Sequence, residues 1–267
     1  MGTVFMDERL SGGSMRVAVK FAYDGSHFSG YARQPGQQTV EQTLLEILAE
    51  SNVVRDPRSS RFRTASRTDR GVSALGNVCA FDTDASQQNI FKVLASGQSP
   101  DVVLYGFKEV EPEFYPRHAN GREYRYYLKN EDLDVDKVLS AAALFAGEHN
   151  FQNFARVEPL KNPVRTLDNI IVVEQQGFLV LDFYAQTFLW NQIRRIVSAL
   201  KKAGEETLTH QAIKQALLHP EKRVDFQLAP SDPLILKDVV YDFSFECTKG
   251  YKTTLRVFEE KIVASLS

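Results

Sequence analysis

Val17, Val19, Phe21 and Tyr23 fall on alternate positions, the period of a strand with one buried face. Tyr23-Asp24-Gly25-Ser26 then breaks the alternation with residues that favour turns. Beyond it the apolar spacing changes to three and four. Val40, Leu44, Ile47 and Leu48 form a helical stripe, and Thr39-Val40-Glu41-Gln42 has the form of a capping box at its start. Extended segments are predicted at 61–66 and 78–82. Ser86 is placed to cap a helix carrying Ile90, Val93 and Leu94, with Gly97 to end it. Residues 102–110 return to strand. The resulting order, β-α-β-β-α-β, is a split βαβ or ferredoxin-like unit.

The pattern then repeats. A strand is predicted at 124–128, followed by a helix at 137–146 capped by Asp136 and stopped by Gly147. Segments 169–174 and 178–184 read as a hairpin around Gln175-Gln176-Gly177. Leu189, Ile193, Ile196 and Leu200 mark a helix ending at Gly204, a shorter helix follows at 209–218, and 239–245 supplies a late strand. The prediction is therefore an α+β fold of two tandem ferredoxin-like halves. Residues 15–115 form the first and 116–267 the second, with the boundary near 112–120. Ser11-Gly12-Gly13-Ser14 has the composition of a linker, so residues 1–14 are read as a leader outside the fold.

Composition narrows the class. With 43% hydrophobic and 25% charged residues among 267, the chain can bury a sizeable core and does not resemble a disordered segment. No apolar run reaches the roughly 20 residues that span a bilayer, and the start lacks the apolar core of a secretory signal. Cys79 and Cys247 are too few for a disulfide framework or a cysteine metal site, which fits a reduced, cytoplasmic setting. A net charge of −2 argues mildly against a nucleic-acid partner. The average hides clustering, however. Arg55, Arg58, Arg61, Arg63, Arg67 and Arg70 lie close together, and two further groups are Arg117, His118, Arg122 with Arg125, and Arg194, Arg195, Lys201 with Lys202. These are either solvated faces or a local positive surface on a near-neutral protein.

The most informative stretch is Ser66-Arg67-Thr68-Asp69-Arg70-Gly71-Val72-Ser73-Ala74, which joins the two inner strands of the first unit. Positive charge on both sides favours an ionised carboxylate, and a nucleophilic or electrostatic carboxylate requires that form. An ordinary ion pair on a surface turn has the same sequence pattern. His149 has no second His, Cys or carboxylate at ligand spacing, so no metal is expected.

Arg67-Thr68-Asp69-Arg70-Gly71-Val72 resembles the signature of the TruA-type pseudouridine synthases. Four further segments agree with that family in order: Tyr23-Asp24-Gly25 with Phe28-Ser29-Gly30-Tyr31-Ala32-Arg33-Gln34; Phe114-Tyr115-Pro116-Arg117 with Arg122-Glu123-Tyr124-Arg125-Tyr126; Gly147-Glu148-His149-Asn150-Phe151; and Phe188-Leu189-Trp190-Asn191-Gln192-Ile193-Arg194-Arg195. Tyr31 stands where the family often has Trp, Arg70 where bacterial members often have a small residue, and Ser66 where they have Gly.

The resemblance implies two ferredoxin-like halves sharing a broad, mostly antiparallel sheet, a homodimer, and tRNA as partner, modified in the anticodon stem-loop at positions 38 to 40. It implies Asp69 as the catalytic carboxylate, Arg67 paired with it, and Tyr124 packed against the target base with its hydroxyl available for proton transfer from C5. Arg194 would hold Asp69 or a substrate phosphate, and Arg33 and Arg117 would contact RNA. Because the product is an isomer of the substrate, no cofactor is needed. The rival readings are the same chemistry at another tRNA or RNA position, a non-catalytic RNA-binding protein on the same sheet, and a hydrolase using Asp69 as base. A retaining glycosidase would need a second carboxylate about 5–5.5 Å away, and none lies near Asp69 in sequence.

Overall fold

The computed structural model describes residues 14–96 and 99–266. The expected leader, apart from Ser14, and the helix stop expected at Gly97 lie outside the described residues. The first half runs β1 (Met15–Tyr23), a short 3-10 turn (Gly25–His27), α1 (Val40–Glu50), β2 (Arg63–Thr64), β3 (Ser73–Thr83), α2 (Gln87–Ser96) and β4 (Val102–Val110). The second runs β5 (Gly121–Lys129), α3 (Val135–Ala143), β6 (Gly147–Asn150), β7 (Val164–Leu167), β8 (Asn169–Gln175), β9 (Phe178–Ala185), α4 (Gln192–Gly204), α5 (His210–Leu218), β10 (Leu234–Val240), β11 (Glu246–Cys247) and α6 (Tyr251–Ala264).

Nine strands share one sheet, in the order β11-β4-β1-β3-β10-β5-β9-β8, with β2 pairing the side of β3. Two ferredoxin-like orders are embedded in it: β4-β1-β3-β2 and β10-β5-β9-β8. Every pairing is antiparallel except that of β3 with β10, which is parallel. Strand β3 makes this junction by dividing its edge. Ala80 and Cys79 pair with Arg63 and Thr64 of β2, while Ser73 and Ala74 pair with Ile235 and Leu236 of β10. The end of β3 nearest the Asp69 loop therefore lies where the halves meet.

Strand alternation distributes the core over both faces of the sheet. On one face α1 and α2 place Leu44, Leu48, Ile90 and Leu94 against Val19, Phe21, Phe81 and Phe107. Beside them α3, α4 and α5 place Val138, Ile196, Leu200 and Ile213 against Tyr126, Leu181 and Phe183. On the other face α6 lays Phe258 and Ile262 over Ala22, Leu75, Tyr105, Tyr127 and Ile235, which come from strands of both halves. Each fully buried side chain of this size contributes about 1.5–3 kcal/mol, so α6 fastens the two halves together from behind.

Several expected boundaries are corrected. Helix α3 is capped by Asp134, whose carboxylate accepts from Lys137 N at 3.1 Å; Asp136 lies in the first turn, at the positive end of the helix. Thr39 is the N-cap of α1, but no capping box forms. The N–H groups of Val40 and Glu41 donate to the carbonyls of Gly30 and Tyr31, and Gln42 turns to Glu46. Helix α4 begins at Gln192 rather than Leu189, because Asn191 adopts φ 62° and Trp190 forms a backbone bridge to Arg156. The late strand ends at Val240. To pass from β10 in the middle of the sheet to β11 at the edge beside β4 the chain must leave the sheet, and Tyr241, Phe243 and Phe245 cluster with Phe114 instead of continuing the ladder. The hairpin of β8 and β9, the cap of α2 by Ser86 and the end of α4 at Gly204 are as expected.

Candidate active site

The loop carrying Asp69 is held at both ends and from both halves. At its start, Asn77 Nδ2 donates to Ser66 O at 2.9 Å, and Arg122 reaches across from β5 to Ser66 Oγ at 3.1 Å and Ala65 O at 3.2 Å. In the middle, Thr68 Oγ1 bonds the Tyr23 hydroxyl at 2.8 Å, and Tyr31 N donates to Thr68 O at 3.3 Å. Val72 N then closes a turn onto Asp69 O at 3.2 Å. Gly71 makes this turn at φ +85°, where a Cβ would lie 2.2 Å from Asp232 Oδ1. A Cβ on Gly25 would lie 2.1 Å from Val72 O. The two glycines let the Gly25–His27 turn and the 230–233 segment press against the loop.

This packing delivers a half-buried Asp69 into a cleft of about 710 Å³ between the halves. Arg194 Nη1 donates to Asp69 Oδ2 at 3.3 Å, and the Trp190 indole N–H donates to Oδ1 at 3.1 Å. Arg194 is itself fixed by a 2.7 Å bond from Nε to Ala229 O. The partner of Asp69 is therefore Arg194, not the expected Arg67. Among the described residues no ion pair joins Arg67 to Asp69; Arg67 lines the same cleft with its side chain toward solvent. Arg67 is exposed, whereas the half-buried Asp69 has both oxygens already met by donors from the start of α4. The sequence also offered no sign of the Trp190 contact.

Tyr124 projects from β5 into the cleft, its ring edge-on to Phe188 at 5.3 Å. Burial pushes its hydroxyl above the usual tyrosine range, opposed by Arg122 and Ser66 and reinforced by the negative charge of Asp69. Arg117 lines the cleft and is exposed. Arg33 is exposed at the end of the first loop, where its main-chain N–H donates to Glu41 at 3.1 Å.

The second basic group is not one surface patch: Arg117 and His118 are exposed, but Arg122 and Arg125 are not. Arg122 is buried and donates to the carbonyls of Ala65, Arg117 and Gln186, so it ties together the walls of the cleft; burial lowers its pKa. Arg125 points to the opposite face and pairs with Asp182 at 2.7 Å. Alternation along β5 separates the two. In the third group Arg195 pairs with Asp225 at 2.8 Å while its neighbour Arg194 serves Asp69.

Sequence reasoning also missed Glu158, a second carboxylate lining the cleft from a distant loop. It missed the cluster Asp24, His27 and Asp101 as well. Lys261 Nζ stands 3.8 Å and 3.6 Å from those two carboxylates and supplies their positive charge.

A family model described as tRNA pseudouridine synthase matches residues 141–242, which include Trp190 and Arg194. A curated tRNA pseudouridine synthase A from Thermococcus sibiricus is 40% identical over 231 residues, covering 85% of each chain. The chain belongs to the tRNA pseudouridine synthase A family. A second such synthase, from Thermococcus kodakarensis, is 36% identical over 256 residues, or 95% of this chain and 96% of the relative. Among solved structures, a chain of a Cbf5-Nop10-Gar1 complex is a distant likeness, with a TM-score of 0.36 and 17% identity over 68% of this chain and 44% of that one. As a pseudouridine synthase the protein is an isomerase that converts uridine to pseudouridine, which sets aside the hydrolase and the purely RNA-binding readings.

Proposed function

We propose that this synthase acts on the anticodon stem-loop of tRNA, at positions 38 to 40, with Asp69 as the nucleophile. The observation that carries the nucleophile is the position of Asp69: a carboxylate in a cleft, both oxygens met by donors, beside an aromatic ring able to receive a base. The tRNA region rests on family membership. The reaction breaks the N1–C1′ bond, turns the uracil and joins C5 to C1′; the C5 proton leaves and N1 gains one, so substrate and product have the same atoms. Attack of Asp69 on the ribose or on the base would start either version of this sequence, and each needs a fixed carboxylate.

Tyr124 packs against the flipped uracil in this reading. Its raised pKa keeps it a phenol at neutral pH, so it takes the C5 proton only while handing its own proton on. Flipping the uridine costs a few kcal/mol. Arg67 and Arg117, exposed in the lining of the cleft, and Arg33, exposed next to its Ala32, would hold the RNA backbone while aromatic contact replaces lost stacking. Arg67 thus keeps a place in the site as an RNA contact rather than as the partner of Asp69. On family grounds we further propose a cytoplasmic homodimer, which light scattering and cell fractionation would check.

The deciding experiment is tritium release from C5-labelled uridine in unmodified tRNA transcripts, for the parent and Asp69→Ala. Release by the parent, lost in the variant and mapped to positions 38 to 40, is the expected result. Release by a folded Asp69→Ala protein would remove the nucleophile assignment, and product at other positions would remove the anticodon assignment alone.

A further inference from the structure

The composition includes a single tryptophan, and it is Trp190. Its indole N–H is one of the two donors on Asp69. The other, Arg194, lies four residues later, so both approach from the start of α4 and meet different oxygens of the carboxylate. Two donors on two oxygens fix the plane of a carboxylate, whereas one leaves it free to turn.

The indole is anchored as deliberately as the guanidinium. Arg156 lies over the ring, its central carbon 4.0 Å from the centroid, and Arg156 N donates to Trp190 O at 2.8 Å. Among the described residues Arg156 has no carboxylate partner, so the indole is the group that receives its charge. The ring is nevertheless 45% exposed. Packing alone does not explain an exposed tryptophan held on one face by an arginine and at its N–H by a carboxylate.

We propose that Trp190 is a positioning residue for Asp69, with Arg156 holding its ring, so that the nucleophile is oriented before RNA arrives. This rests on Asp69 being the nucleophile. Trp190 acts through Asp69, and its removal lowers turnover rather than affinity. A tryptophan serving only to stack on RNA would show the opposite split, because every base offers a π-face to an aromatic ring.

Two measurements test this. In steady-state pseudouridine formation, Trp190→Phe keeps a ring and loses the donor; kcat should fall about tenfold with KM within about twofold. Arg156→Gln, which leaves the donor but frees the ring, should fall less and in the same parameter. A rise in KM at constant kcat in both variants would overturn the proposal in favour of an RNA-stacking role. The second measurement is emission from the sole tryptophan without RNA. Asp69→Ala should shift its maximum, while Glu158→Gln, which removes another carboxylate of the cleft, should not. Unchanged emission in Asp69→Ala would show that the hydrogen bond does not form. If Asp69→Ala is inactive while Trp190→Phe is as fast as the parent, the positioning role fails and the nucleophile stands; an active Asp69→Ala removes both.

Discussion

Tyr124 and Arg122 are two residues apart on β5, and both reach the cleft by different means. Tyr124 presents a ring against Phe188 and a hydroxyl whose pKa burial has raised. Substituting Tyr124→Phe preserves the ring contact and deletes the proposed proton carrier. Turnover should fall by about 10²-fold or more, with RNA affinity in filter binding nearly unchanged. Full turnover in the variant would assign the C5 proton to another group. Arg122 shows where residue identity misleads. An arginine in a basic run is the expected mark of an RNA contact, yet this one is buried and spends its donors on three carbonyls and a serine. Its role depends on which face of β5 it occupies relative to a loop 56 residues earlier, and neither composition nor spacing records that.

At the scale of elements, α6 has the clearest electrostatic signature. Glu259 accepts from Lys237 Nζ at 2.7 Å, Tyr127 Oη at 2.9 Å and Arg125 Nη1 at 3.4 Å. Burial alone would raise the carboxyl, but these partners outweigh it and the pKa is lowered, while burial and the Glu259 charge push Tyr127 up to about 12. A folded carboxyl that binds its proton less tightly than the unfolded one stabilises the fold fully above the ordinary glutamate range of about 4.3. That contribution is lost as pH falls through the lowered folded value. Glu259→Gln should therefore cost about 1–3 kcal/mol in urea melts at neutral pH, with a gap to the parent that narrows in acid. A gap independent of pH would mean that shape, not charge, holds the helix. The sequence analysis did not foresee α6 at all. Its buried side chains meet two halves at once, and no periodicity within 251–264 announces a partner of that kind. The hairpin of β8 and β9 and the stripe of α4 were legible because alternation and turn residues are local. The cap of α3 and the start of α4 were misplaced because an acidic residue two positions away and a left-handed Asn191 decide them.

For the whole molecule, the two halves meet in one sheet through the parallel contact of β3 with β10, and β11 of the second half adds an edge strand to β4 of the first. We propose the division at residues 115 and 116 as one of topology rather than of independent folding, since α6 and β10 both bind strands of the first half. After dilution from denaturant, activity should then return no faster than the slowest spectroscopic phase. Activity that led the recovery of structure would show that one half suffices. The Asp69 loop was legible as a motif; its setting was not, because Arg194 lies 125 residues further along the chain. That separation has a consequence during synthesis. A growing chain emerges from the ribosome among dense RNA, carrying the carboxylate proposed as nucleophile early and the Trp190 and Arg194 donors that meet it much later. Until the late strand β10 is in place beside β3, the nascent protein would hold a blunt tool among that RNA.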